Sequence, residues 1–270
     1  MIIAFYILGS LLFIFIIGKA VNEYQFRTSV AKLFSLSQNN VHKNYQLTQI
    51  QHLPAPVQSY FKHVLPENQS YISHIRMTHN GQFKTGQDKD WINIKGEHYA
   101  TTQNPGFIWK GNTSLFTATD SYIQNTGNLK VSLLSIINII DAKGPAYNQG
   151  ELIRWLGESV IYPTNLLPSE NLSWSAIDTK TAKLNFNYNG LNLYFIVKFN
   201  EKGEIIELET KRYMEINQLE TWVIKLNKYK KMNHILVPTS FEVLWRLPKG
   251  DFSYAKFYIQ KLEYNKPFIF

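Results

Sequence analysis

Apolar positions follow one another without a break in IIAFYILGSLLFIFII, residues 2–17, and no charged side chain occurs before Lys19. A hydrocarbon core takes ~20 helical residues to cross, and Gly18, Ala20 and Val21 extend the run to that length. Residues 1–21 therefore read as a transmembrane anchor. Beyond it, Val21, Tyr24, Val30, Leu33 and Phe34 recur at near-helical spacing with Arg27 and Lys32 among them. This predicts a juxtamembrane helix to about Ser37, and the polar stretch 38–52 predicts a stalk. In LPAPVQSYFKHVLP, residues 53–66, prolines bracket a short helix over Ala55 to Val64, because proline is tolerated in a first turn and stops a helix later.

From Ser70 the period becomes two, with Tyr71, Ser73, Ile75 and Met77 alternating against Ile72, His74, Arg76 and Thr78. WINIKGEHYAT, GFIWKGN, LFTATDSYIQ and LKVSLLSIINII continue the series between Asn-Pro-Gly, Gly-Asn and Thr-Gly-Asn punctuation, which predicts an antiparallel meander. QGELIRWLGESVIYP, residues 149–163, restores helical spacing through Leu152, Trp155, Leu156 and Val160 until Pro163 ends it. Strand-like segments then run from Trp174 to Tyr264, with hairpin turns at Asn189-Gly190, Lys202-Gly203 and Lys249-Gly250. Twist accumulates over so many strands, so the sheet must curl. The fold class that follows is α+β: a large curved antiparallel β-sheet, half-barrel like, with two or three helices covering its concave face, preceded by the transmembrane helix. Residues 22–52 form the juxtamembrane helix and stalk, and 53–270 a single curved-sheet domain.

Composition narrows the function. A chain that is 44% hydrophobic and 14% aromatic has ample material for a core, and the absence of cysteine removes disulfides, thiolate metal sites, cysteine nucleophiles and lipidated cysteine. The net charge of +8 is spread along the chain, which suits an anionic membrane surface better than nucleic acid. Gly18-Lys19-Ala20 leaves cleavage after Ala20 open as an alternative to a retained anchor. Lys19, Arg27 and Lys32 after the span favour a cytoplasmic domain by the positive-inside rule, whereas missing cysteine and β-richness are commoner in envelope proteins. The expectation is a single-pass inner (cell) membrane protein with an extracytoplasmic domain.

Seven histidines are present, none in a metal-binding pair, and no nucleophile elbow, phosphate loop or dinucleotide fingerprint occurs. No catalytic residue, metal or cofactor is expected on these grounds, and His74 and His98 read as structural. Glu151, Arg154, Trp155, Glu158 and Tyr162 fall along one helix flank. The two carboxylates either frame a water or polar headgroup, or form a surface Glu-Arg-Glu ladder worth ~0.3–0.5 kcal/mol per pair. Arg212 shares a face with Ile206 and Leu208 and needs a carboxylate partner, with Glu158 and Asp178 as candidates, or else captures an anionic headgroup. KLNKYKKMNH, residues 225–234, reads as an edge strand guarded by lysine.

Three stretches together, LPAPVQSYFKHVLP at 53–66, QGELIRWLGESVIYPTNLLP at 149–168 with WSAID at 174–178, and the C-terminal VPTSFEVLWRLPKGDFSYAKFYIQKLEY, resemble a bacterial family of membrane-anchored proteins of unknown function. The resemblance implies an architecture similar to the lipoprotein-carrier (LolA/LolB-like) fold. It brings no reaction, and marks Glu151, Arg154, Trp155, Tyr162, Pro163 and Asp178 only as positions matching its most distinctive motif. The leading expectation is a membrane-tethered binding module for a lipid, acyl chain or other amphipathic ligand, in an aromatic-lined cavity of ~300–1,000 Å³. The alternatives are an envelope hydrolase or transferase using Glu151 or Glu158 with Arg154 or Arg212, and a structural partner-binding domain. The bilayer is the expected partner, nucleic acid is not, and protein partners are left open.

Overall fold

In a computed structural model the backbone is described for residues 2–37 and 43–270, with side chains for all of these except 2–5, 7, 8, 10, 11 and 14. Helix α1 (Ile2–Ser35) is followed by α2 (Ala55–Val64), then by β1 (His74–Phe83), β2 (Ile92–Thr101), β3 (Gly106–Asn112), β4 (Phe116–Ile123), β5 (Thr126–Leu133) and β6 (Ile137–Lys143). Helix α3 (Pro145–Glu158) and short 3-10 turns at Ser159–Ile161 and Pro163–Leu166 lead to β7 (Leu172–Ala176), β8 (Thr181–Tyr188), β9 (Leu191–Phe199), β10 (Ile205–Glu215), β11 (Gln218–Met232), β12 (Ile235–Leu247) and β13 (Gly250–Tyr264).

The thirteen strands form one antiparallel sheet in the order β6-β5-β4-β3-β2-β1-β13-β12-β11-β10-β9-β8-β7. It consists of two meanders joined where the first strand pairs with the last, from Ile75 opposite Tyr264 to Phe83 opposite Ala255. The segment from β6 to β7 must therefore carry the chain from one edge of the sheet to the other. Helix α3 does this across the concave face, and its contacts measure the curvature. Asn148 accepts a hydrogen bond from the Gly127 amide on β5, while the next residue, Gln149, donates to the Lys211 carbonyl on β10. Eight strand spacings separate β5 from β10, about 38 Å if the sheet were flat, yet one turn of helix touches both. The sheet is curled into a half-barrel, as the strand count predicted.

Inside the curl the core is continuous. Val57, Tyr60 and Phe61 of α2 and Leu152, Trp155 and Leu156 of α3 are buried against Leu184, Phe195, Val197 and Ile224 of the sheet. Gly157 lets α3 approach, since a β-carbon there would lie 2.7 Å from Ile224. Helix α1 lies on the opposite, outer face, where Phe26, Val30, Leu33 and Phe34 pack on Tyr99 and Ile108. The packed half of the helix is fixed at both ends: Gly18 abuts Ile136 beyond β5, and Leu33 lies against Gly106 at the start of β3. Residues 2–17 thus run past one end of the sheet, called the proximal end below; at 1.5 Å per residue they span ~24 Å. The β1–β2, β3–β4, β5–β6, β10–β11 and β12–β13 turns lie at this end, and the β7–β8 and β11–β12 turns at the other.

Four local expectations change. Of the predicted stalk, residues 38–42 fall outside the described residues, and from residue 43 the chain packs: Asn44 bridges Ser70, and Tyr45 and Ile50 are fully buried. LKVSLLSIINII is two strands, because Leu134 and Ser135 take positive φ and turn the chain back. The Thr-Gly-Asn expected as a turn lies within β5, where Gly127 makes room for the Tyr147 carbonyl. The lysine-rich strand is internal, between β10 and β12. It runs past the end of β10, however, since pairing stops at Glu207–Lys225 while pairing with β12 continues to Met232–Ile235. Among the described residues no helix is long and apolar enough to cross a membrane, and much of the 2–17 run has side chains outside the described set.

Candidate functional site

Alternation along the strands decides which side chains enter the half-barrel. Opposite one another across β1–β4 stand Met77, His98, Trp109 and Asp120, and the same face carries His79, Gly96 and Ala118. From the other limb come Arg212 on β10, Trp222 on β11, Trp245 on β12 and Tyr254 on β13. Above them, Glu151, Arg154 and Glu158 line the side of α3 that looks down into the curl. Their spacing of three and four residues puts them on one stripe, and that stripe faces inward instead of forming a surface ladder.

The stripe is tied to both limbs. Arg154 pairs with Asp120 on β4 and, through Nε at 2.9 Å, with Glu158, while its guanidinium lies over the Phe107 and Trp109 rings at 5.1 and 4.9 Å. Glu158 also approaches His98 Nε2 at 3.5 Å. Glu151 accepts from Arg212 Nη2 at 3.2 Å, and Arg212 lies 4.6 Å over Trp222. Gly150 permits that pairing, because a β-carbon there would sit 3.3 Å from Arg212 Nε. His79 accepts a hydrogen bond from Trp109 Nε1 at 2.7 Å, and Tyr254 accepts one from Trp222 Nε1 at 2.9 Å.

Burial dominates the proton affinities. It pushes the Glu151 carboxyl up to about 8, with the Asp120 carboxylate adding to the rise against the pull of Arg212. Asp120 is raised by the same desolvation, opposed by Arg154. Burial would raise Glu158 too, but the Arg154 guanidinium and His98 outweigh it and hold it low. His79 and His98 fall to about 4, mainly through desolvation. The buried Glu151 and Asp120 carboxyls thus hold on to a proton more readily than free carboxyls, while Glu158 stays ionised beside Arg154. Seven buried polar atoms of this cluster, Glu151 Oε2, Asp120 Oδ1, Arg212 Nε, Glu158 Oε2, both His98 ring nitrogens and His79 Nδ1, have no hydrogen-bond partner among the described residues. Such atoms are rare in folded proteins and mark places where a polar group can be received.

On its proximal side the cluster gives way to an apolar surface. Tyr254 contacts the rings of Phe83 and Phe252 and stacks on Trp245, and Phe83, Leu247, Phe252, Phe257 and Met214 remain partly exposed around them. The concave face thus presents a partly exposed aromatic trough with a charged inner end. The enclosed aromatic cavity expected beneath α3 is not what occupies that space, which Leu152, Trp155 and Leu156 fill. A cavity of about 660 Å³ does lie within the expected size range, but on the outer face, between α1 and β2–β6, where Lys19, Glu23, Glu97, Lys110, Thr119 and Lys130 line it.

The expected site residues divide. Glu151, Arg154, Glu158 and Arg212 converge, but Arg212 pairs with Glu151 and not with Glu158 or Asp178. A bulge at Ile205–Glu207 turns Ile206 outward, so that Arg212 shares its face with Leu208 and Thr210. Asp178 stands apart on the β7–β8 turn, fully exposed, accepting from the Lys180 amide at 2.7 Å. Trp155 and Tyr162 are structural: the Trp155 indole donates to the Thr101 carbonyl at 2.8 Å, and the Tyr162 hydroxyl to the Trp155 carbonyl at 3.0 Å. Asp120, His79 and His98 were missed as site residues; Asp120 was legible as a carboxylate in phase with Ala118 and Tyr122. Among the described residues no cluster of His, Asp or Glu could hold a metal.

Residues 43–257 match the profile of a family described as Family of unknown function (DUF6544). No curated protein matches the chain. Among solved structures, a LolA superfamily protein from Nitrosomonas europaea aligns at TM-score 0.45 and 8% identity over 78% of this chain and 93% of its own. A domain described as outer membrane lipoprotein-sorting, from Vibrio parahaemolyticus, aligns at TM-score 0.39 and 9% identity over 72% and 86%.

Proposed function

Because this chain belongs to the DUF6544 family of unknown function, with no activity to inherit, we propose a role from its own geometry: a membrane-tethered module that binds an amphipathic ligand, its acyl portion along the aromatic trough and its polar end at the Arg154–Glu151–Arg212 cluster. The observation that carries this is the junction of the two surfaces, where partly exposed rings lead to buried polar atoms without partners. A protonated Glu151 donates to a ligand oxygen and Arg212 Nε supplies a second donor, while the rings bury methylene groups at ~25 cal/mol per Å². The apolar run at 2–17 supports the tether, and an extracytoplasmic domain on the inner membrane remains the preferred side.

The test is photo-crosslinking of the full-length chain in nanodiscs containing a phospholipid with a diazirine at the acyl terminus. Adducts on peptides spanning Phe83 and Phe252, lost in Phe252→Asp while adducts on α1 persist, are expected. Adducts on α1 alone would overturn the proposal. One observation favours a second reading, hydrolysis or transfer with Glu151 as acid: its raised proton affinity beside an arginine. That reading requires turnover of the crosslinked lipid class that Glu151→Gln abolishes without loss of adducts.

A further inference from the structure

The proximal end of the sheet carries an apolar surface that the trough does not use. Leu115 in the β3–β4 turn is 62% exposed, and Leu134, Ile137 and Ile139 in and after the β5–β6 turn are 44, 56 and 57% exposed. Ile216 in the β10–β11 turn adds a further tip at the same end. Tight turns ordinarily take glycine, asparagine or aspartate at positive φ. Here Leu134 occupies such a position at φ 51°, a strained conformation that puts a leucine where water would favour a polar residue. Contiguous exposed apolar surface of this kind marks a docking site for protein or membrane.

Which of these it meets is decided by α1. Gly18 abuts Ile136, and the Asn22 side-chain amide donates to the Ser135 carbonyl, so the turn is fixed beside the helix at the point where the 2–17 run ends. Phe13, Ile16 and Ile17 on the helix are exposed as well, so apolar helix surface continues into apolar hairpin. Lys19, Lys130 and Asp141 line the polar cavity behind this tip, and the β1–β2 turn at the same end carries Lys84, Asp88, Lys89 and Asp90. An apolar edge backed by lysines is the arrangement that enters the headgroup and upper acyl layer of an anionic bilayer.

We propose that the β5–β6 turn, with Leu115, is a second membrane contact, inserted in the bilayer interface beside α1 so that the proximal end of the half-barrel is held against the lipid surface. The inference rests on the tether reading but not on ligand binding in the trough. It fixes the rotation of the domain about the axis of α1, which the helix docked on the outer face would alone leave free.

The chain has no cysteine, so one introduced residue carries one spin label. Full-length Ile139→Cys, Phe13→Cys and Ile177→Cys chains are labelled and reconstituted in phosphatidylethanolamine–phosphatidylglycerol vesicles, and collision with oxygen is compared with collision with a water-soluble nickel chelate. Ile177, half-exposed on the β7–β8 turn at the far end, is the aqueous reference, and Phe13 reports on the tether. The expected result is an oxygen-to-nickel ratio at Ile139 several-fold above that at Ile177 and below that at Phe13. A lipid-like Phe13 with Ile139 equal to Ile177 would sink the second contact and leave the tether standing. An aqueous Phe13 would remove both. A label at Ile139 shielded from both reagents would indicate a protein partner and also overturn the proposal.

Discussion

Strand β4 has two polar faces with opposite characters. Inward, Asp120 is held by Arg154 under α3, in a cluster where Arg154 also pairs with Glu158 on its own helix and Arg212 reaches Glu151 from β10. Outward, its neighbours Thr117, Thr119 and Ser121 line a cavity of about 660 Å³ beneath α1, with Lys110 of β3 paired to Glu23 at 3.0 Å and Glu97 at 3.6 Å. The outer face keeps its carboxylates Glu23 and Glu97 partly in solvent, although Lys110 itself is covered and lies 3.7 Å over the Phe26 ring of α1. The inner one is expensive, because burying charge costs more than pairing returns unless the geometry is very good. A polar group retained at that cost, where apolar packing would serve stability as well, is a stronger functional pointer than any number of polar groups outside.

The sharpest way to break the contrast is to remove one cation from each face. Arg154→Met strands Asp120 and Glu158 without a counter-charge, and a loss of ~3–5 kcal/mol in denaturant unfolding is expected. Lys110→Met, whose carboxylate partners are partly solvated, is expected to cost less than ~1 kcal/mol. Equal losses would make the two faces equivalent and leave the inner cluster without special standing.

A smaller effect concerns pH. Glu151 is protonated in the folded chain up to about 8 but ionises near 4.5 when unfolded, so the folded state holds the extra proton and stability falls as pH rises through that window. His79 and His98 bind protons near 6.5 when unfolded and near 4 when folded, so below 6.5 stability falls as pH drops. The melting temperature should therefore peak near pH 6.5. Glu151→Gln should flatten the decline between pH 6.5 and 8 and steepen the acid limb, because between 4.5 and 6.5 Glu151 opposes the two histidines. An unchanged alkaline limb would mean that Glu151 titrates normally. The smallest effect is expected from Thr119→Ala on the outer face, within ~0.5 kcal/mol of the parent.

Much of the architecture was legible because it is local. The prolines around α2, the apolar stripe through Leu152, Trp155 and Leu156, and Asn189-Gly190 act over a few residues, and each stands where expected. Helix α3 begins four residues earlier than predicted, since Pro145 starts its first turn. What was not legible depends on pairing across the chain. Glu151, Arg154 and Glu158 have the same spacing whether they face water or a core, and only the path of α3 across the sheet turns them inward. Asp120 lies 34 residues from Arg154, and nothing near either announces the other. The lysines of β11 suggested an edge because local composition reports exposure, whereas here exposure arises because β10 begins only at Ile205 and leaves the end of β11 uncovered on that side.

The seam between β1 and β13 has a consequence for how the chain is made. Every other strand pairs with its sequence neighbour, apart from the β6–β7 crossover by α3, and can fold as soon as it leaves the ribosome. β1 alone must wait for the last strand, about 190 residues later, and closure over such a loop is slow. Until then the nascent protein holds two half-sheets with a bare edge each, beside the bilayer if α1 is already inserted. Chains that terminate before residue 250 should expose both edges and pass to proteolysis or aggregation, so synthesis of the final fifteen-residue strand is the step that commits this protein to a single sheet.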